Sequence, residues 1–307
     1  MRFSLSTSWN AARYTSGRDL IFEIKELGFD EVELSFNLTA SMVSQIEELV
    51  KDGSIKISSL HNFCPIPENV KRELALPDFY SMSSTNEEER NKSVEQTKNT
   101  IATAARLKAQ AVVLHTGRVE MEDDTRKLME LFRSGLAEKE EFKRLRQAFI
   151  ESRRKQAAPF LENTLRSLEE LNSFAVKENI KLGVETRFYF REIPVFEELG
   201  IIFEKFKGSN IFYWHDTGHA QLMDDLGLAR HKDFLDAYGG LLLGIHLHDI
   251  LNCQDHLAPS CGEIDFGMIA PYIKEGVLKV IEAHSRSSAS EIKKGAEFLE
   301  KIFVKNG

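Results

Sequence analysis

The chain has 307 residues, of which 42% are hydrophobic and 29% charged, and its formal net charge is −8. Such a chain can bury a full core, and an α/β barrel of this length is normally one unit, so residues 1–307 are read as a single domain. The acidic balance lacks the basic footprint that neutralises nucleic-acid phosphate or docks on an anionic membrane, which argues against both partners. The start, Met1-Arg2-Phe3-Ser4-Leu5-Ser6, enters a strand-like run with no charged leader. No apolar run approaches the ~20 residues that span a bilayer, so a soluble, cytoplasmic protein is expected. Phe3 to Ser8 is the first predicted strand, and Gly17 to Leu27 a helix ended by Gly28. Glu31-Val32-Glu33-Leu34-Ser35 is a second strand, with Glu31, Glu33 and Ser35 on one face by period-two alternation. Thr39 to Lys51 reads as a helix and Ile55 to His61 as a third strand, followed by a loop held by Pro65 and Pro67. Thr85-Asn86-Glu87-Glu88 has capping-box spacing and opens a long helix through Val94, Ile101 and Ala105. Ala111 to His115 is the fourth strand.

From about Arg118 to Asn179 the pattern changes to Glu-, Lys- and Arg-rich helical sequence, long enough for two or three helices where a barrel unit needs one. The surplus, approximately 118–160, is predicted to be a helical insertion after the fourth strand: a solvated excursion, or a lid or dimer arm over the mouth. Alternation then resumes, with strands at Lys181–Glu185, Ile211–Asp216, Leu241–His248 and Leu278–Glu282. Eight strands separated by helices predict an α/β fold of the (β/α)8 TIM-barrel class. Cys64, Cys253 and Cys261 lack the paired spacing of a metal finger and fit reduced thiols.

The polar residues of these strands are not scattered. His61, His115, Glu185, Asp216, His246 and Glu282 each fall at or next to the last position of an apolar run. In a barrel these ends converge on the C-terminal mouth, so residues distant in sequence become one site. Imidazoles and carboxylates without thiolates point to a divalent Zn, Mn, Co, Fe or Mg ion. His219 follows Asp216 by three residues and is a further candidate, as ligand or as helix cap. His248 shares the facing of His246, whereas His215 points away from Asp216 and reads as structural. Asp249 is placed to orient His246 or His248 from behind, and His284, two beyond Glu282, is ambiguous.

The segments Gly183-Val184-Glu185, His215-Asp216-Thr217-Gly218-His219-Ala220, Gly244-Ile245-His246-Leu247-His248-Asp249, Asp255-His256 through Phe266, and Ile281-Glu282 resemble those of the xylose-isomerase-like TIM-barrel superfamily. That superfamily holds sugar isomerases and epimerases as well as endonuclease IV. Its epimerases imply one divalent metal on Glu185, Asp216, His246 and Glu282. They also imply proton transfer through an enediolate by Glu185 and Glu282, and a substrate hydrogen bond from His219. The resemblance thus implies an isomerase or epimerase of a small sugar or polyol, and a homo-oligomer. Endonuclease IV implies instead a zinc-dependent phosphodiester hydrolase, with His61, His115, His219 and His256 as additional ligands. One of its acidic ligand positions is here Gln254, beside Asp255, and the only aromatic near the loop after His61 is Phe63. A third alternative is a barrel binding a metabolite in its mouth, as an aldolase, a dehydratase or a non-catalytic binding protein.

Overall fold

The computed structural model describes residues 2–306. Eight parallel strands close into a barrel: β1 (Ser4–Ser6), β2 (Glu31–Leu34), β3 (Lys56–His61), β4 (Ala111–Leu114), β5 (Lys181–Glu185), β6 (Ile211–Asp216), β7 (Leu242–Leu247) and, last in the chain, β10 (Leu278–Ile281). Between β7 and β10 lies an antiparallel hairpin of β8 (Asp249–Leu251) and β9 (Gln254–Leu257). The outer ring includes α1 (Gly17–Glu26), α2 (Ala40–Lys51), α3 (Glu87–Arg106), α6 (Phe196–Lys205) and α10 (Ala289–Asn306). After β6 come α7 (Thr217–Asp225) and α8 (His231–Tyr238), and before β10 a short α9 (Phe266–Ile269). This is the expected (β/α)8 architecture. Among the described residues no helix is long and apolar enough to cross a membrane.

Two local expectations change. The cap of α3 is Asn86 rather than Thr85: the Asn86 side chain accepts from the backbone N–H groups of Glu88 and Glu89, which leaves Thr85 outside the helix. The stretch after β4 forms α4 (Thr125–Arg133) and then α5 (Glu140–Glu178), a single 39-residue helix in which extra sequence and barrel helix are continuous. That stretch is not merely solvated. Phe142, Phe149, Arg153 and Phe160 on α5 are buried, and Phe149 meets Phe190 of the loop after β5 edge-on.

The strand phase that fills the barrel also builds its mouth. Ala111 and Val113 of β4, Trp214 of β6, and Leu278 and Val280 of β10 form one apolar cluster. The ring of Trp214 lies so close over Gly183 and Gly244 that a Cβ on either would approach it to 2.7 and 2.2 Å. With a side-chain period of two, the next positions on the same face are His115, Glu185, Asp216, His246 and Glu282. The polar layer therefore rests on an apolar plug and cannot sink into the barrel.

Behind the wall, α5 is tied to α6 by a buried ion pair and to the loop after β5 by a hydrogen bond. Arg153 donates to both carboxylate oxygens of Glu198 at 2.8 Å and to the carbonyl of Glu192 at 2.8 Å, and Glu198 also accepts from the Val195 amide at 2.9 Å. Because removing one partner strands the other's charge, Glu198→Ala is expected to cost about 3–5 kcal/mol, whereas the apolar pair Arg153→Met/Glu198→Leu recovers most of it. Urea denaturation of the two variants checks this.

Candidate metal centre

At the centre of the mouth stands His246, fully buried on β7. Its Nδ1 lies 2.6 Å from Glu185 Oε1, 2.9 Å from Glu282 Oε2 and 3.6 Å from Asp216 Oδ2. One nitrogen carries one proton at most, so it cannot satisfy three carboxylates. Among the described residues Asp216 Oδ2 has no hydrogen-bond partner, although Asp216 is fully buried. Buried, mutually repelling carboxylates with an orphaned oxygen fit a cation between them, and one oxygen from each carboxylate can join His246 in a four-ligand group.

The other imidazole nitrogen explains how His246 is held. Nε2 faces Glu33 Oε1 at 3.0 Å, and Glu33 Oε2 accepts from the Ser59 hydroxyl at 2.7 Å. A carboxylate behind a ligating histidine fixes its tautomer and ring orientation. Glu33 is the residue that sequence reasoning missed. It sits inside its strand rather than at the end, although the alternation of β2 already placed it on one face with Glu31 and Ser35.

Asp216 ends β6 and simultaneously caps α7: its Oδ1 accepts from the His219 amide at 2.8 Å. The same oxygen meets His248 Nε2 at 2.9 Å. His219 is thereby set in the first helical turn, with its Nδ1 donating to the Thr186 carbonyl at 2.9 Å. His256, on β9, is stacked between His248 and His284 at centroid distances of 4.2 and 3.7 Å. Its Nδ1 is held by Asp255 at 2.7 Å and its Nε2 lies 3.8 Å from Glu282. Asp216, His219, His248 and His256 make a second group of metal-competent atoms. A third combines Glu185 with His115 at 2.6 Å and His61 at 3.5 Å, both imidazoles facing Oε2.

Three further residues flank the site, and His215 has the structural place expected of it. The Asp249 carboxylate accepts from the amides of Ile250 and Ile264 through Oδ1 and so shapes the β8–β9 hairpin, while its backbone carbonyl lies 3.4 Å from His248 Nδ1. His284 buttresses His256, and its own backbone N–H donates to the His256 carbonyl. His215 belongs to a buried chain behind β6, between Tyr213 OH at 2.6 Å and His231 Nε2 at 3.0 Å. Phe63 is 2% exposed and offers no wedge to a duplex.

The electrostatics follow from this crowding. Burial pushes the Glu185 carboxyl up, but His115 and His246 outweigh it and hold it well below the usual range. Glu282 is likewise drawn against burial, chiefly by His246, to about 2. For His246 burial favours the neutral ring, and the charges of Glu282, Glu33 and Glu185 reverse this to leave its pKa well above the ordinary value. His115 falls to about 3 through burial and the nearby Arg187 cation. In the metal-free protein His246 therefore stands in for the missing positive charge.

The family model for the xylose isomerase-like TIM barrel matches residues 21–302, and the chain belongs to that family. A sequence relative, "Uncharacterized protein y4fM" of Sinorhizobium fredii (strain NBRC 101917 / NGR234), is 25% identical over 248 residues, covering 79% of this chain and 67% of its own length. Among solved structures, a D-tagatose 3-epimerase-like protein superposes with a TM-score of 0.67 at 20% identity, covering 100% of this chain and 98% of that one. The IOLI protein with a binding zinc atom gives a TM-score of 0.67 at 14% identity, covering 100% and 99%. At these identities the structural likeness is one of fold.

His248 supplies a pH test. Burial lowers its pKa, but the adjacent Asp216 carboxylate outweighs this and raises it to about 9 from an ordinary 6.5. The stability it contributes is complete below the ordinary value and is lost as pH rises through about 9. Chelator-treated protein should therefore lose melting temperature between about pH 6.5 and 9.5, more shallowly in His248→Gln. Thermal scans across that range decide it.

Proposed function

We propose that the protein is a divalent-metal-dependent isomerase or epimerase of a small sugar or polyol. The observation that carries this is the convergence of Glu185, Asp216 and Glu282 on the one Nδ1 of His246. These four would hold the ion, with Glu33 fixing His246 from behind. When bound, such an ion supplies Lewis acidity toward a carbonyl or hydroxyl oxygen and makes the neighbouring C–H more acidic. Glu185 and Glu282 leave different strands on either side of His246, so one carboxylate can take a proton from a carbon and the other return one. The neighbouring imidazoles hold both carboxyls low, which suits the one that accepts a proton; the one that returns a proton must first take it up from solvent or from a substrate hydroxyl. His219, fixed by Asp216 and Thr186, turns its free Nε2 edge toward the cavity that it lines with His115 and His256, where it can bond a substrate oxygen. The folds of a D-tagatose 3-epimerase-like protein and of the zinc-binding IOLI protein are consistent with this chemistry.

The two additional histidine groups favour a second reading, a zinc-dependent phosphodiester hydrolase of the endonuclease IV type, because Glu185 and Asp216 each belong to two groups and could bridge ions. His248 belongs to the second group, and the acid that the endonuclease pattern calls for falls at Gln254, which lies exposed on the hairpin. The acidic net charge and the buried Phe63 favour the sugar reading.

Metal analysis separates the two. One equivalent of metal per chain is expected, and three equivalents of zinc would overturn the isomerase. Glu33→Gln should weaken metal binding by about 10–100-fold, since it removes the carboxylate behind His246 without removing a ligand. Incubating the metal-loaded protein in D2O with ketoses, both neutral and bearing a carboxylate or phosphate, should wash deuterium from at least one of them into the carbon next to the carbonyl, and Glu185→Gln or Glu282→Gln should slow it by about 10²–10⁴-fold. Failure of every ketose to exchange would count against the proposed reaction.

A further inference from the structure

Beside the metal-competent residues lies an open cavity of about 490 Å³ whose lining includes His115, His219 and His256. Its remaining wall is unlike the acidic chain as a whole. Arg118 after β4, Arg126 on α4, and Arg187 and Arg191 in the loop after β5 all line it. From these four guanidinium groups we infer that the substrate carries an anionic group, a carboxylate or a phosphate, bound by the arginines at the end remote from the reacting carbons. The inference rests on the sugar reading above and narrows it to acidic sugar derivatives.

The carboxylates lining the same cavity are already engaged. Asp78 takes Arg118 at 2.9 Å, Glu192 takes Arg187 at 2.9 Å together with the Tyr189 amide at 2.9 Å, and Asp255 takes His256 at 2.7 Å. That leaves guanidinium charge over. Arg126 pairs with no carboxylate among the described residues; it donates to Tyr189 OH at 2.9 Å and lies over that ring at 5.2 Å. Arg191 reaches Asp123 only at 3.7 Å, beyond hydrogen-bonding distance. The independent observation is Arg187. It lines the cavity although only 5% exposed, its terminal nitrogens are taken by Glu192 at 2.9 Å and Glu185 at 3.3 Å, and its Nε has no hydrogen-bond partner among the described residues.

Guanidinium suits this role because its fixed fork of donors matches carboxylate and phosphate oxygens, and an exposed arginine stacked on tyrosine loses little freedom on binding. The stack is also held from outside. The Thr125 hydroxyl accepts from the Phe190 amide at 3.0 Å, and Arg133 donates to the carbonyls of Asn252 at 3.0 Å and Cys253 at 3.2 Å. Helix α4 therefore spans from the loop after β5 to the β8–β9 hairpin, and the extra sequence after β4 becomes the part of the chain that presents Arg126.

Three unreactive acyclic probes test this by calorimetry on the metal-loaded protein: neutral D-glucitol, D-gluconate and D-glucitol 6-phosphate. The expected result is that one anionic probe binds about tenfold or more tightly than glucitol. That ratio should collapse toward one in Arg126→Gln and in Arg118→Gln, both checked for native circular dichroism, and should shrink with added salt. Whichever anion wins identifies carboxylate or phosphate. A ratio near one in the wild type, or one that survives both substitutions because gluconate binds the metal directly, overturns the anion subsite and leaves the sugar reading standing. If none of the three binds, the sugar reading falls with it.

Discussion

The mouth of this barrel depends on a charge imbalance. Glu185, Asp216 and Glu282 are all buried against one imidazole nitrogen, and on the other side of the same ring lies a fourth carboxylate, Glu33. Unpaired, such a cluster would push the strand ends apart. The surrounding carboxylates favour the protonated form of His246, and His248 and His115 face Asp216 and Glu185 on its flanks. An ion at Nδ1 would take over that role, and the proton on Nε2 would remain with Glu33.

Strand periodicity is what allows so much charge to be assembled in a hydrophobic barrel. The apolar layer around Trp214 and the polar layer above it are successive positions on the same inward face, and the close approach of Trp214 to Gly183 and Gly244 seals one from the other. Shared carboxylates then extend the site sideways. Glu185 reaches toward His61 and His115, and Asp216 toward His219, His248 and His256. Which of these groups takes part in chemistry distinguishes a mononuclear from a polynuclear mode of action, and the geometry of the central four is common to both.

The barrel and the convergence of its strand ends were legible because each depends on a short-range pattern: apolar runs of strand length, and a polar residue where each run stops. Glu33 escaped because it lies within its run, where a carboxylate reads as half of a solvated alternation until closure of the barrel shows that face to be interior. Asn86 displaced Thr85 as a cap because both residues can cap, and only the path of the preceding loop decides which side chain reaches the free amides. The arginines were hidden for a different reason. Arg118 and Arg126 come from the connection after β4, Arg187 and Arg191 from the loop after β5, and their neighbourhood exists only once α4 has crossed the mouth.

That crossing has a consequence for how such a protein can change over evolutionary time. The residues suited to hold an ion and move protons sit on the strands or the turn just past them, where neighbours on every side constrain them. The residues suited to choosing among ligands sit on α4 and the loop after β5, joined to the barrel by a handful of hydrogen bonds and the Arg153–Glu198 pair. Drift in length or composition between residues 118 and 139 can therefore redirect what is recognised while the reacting centre is inherited intact.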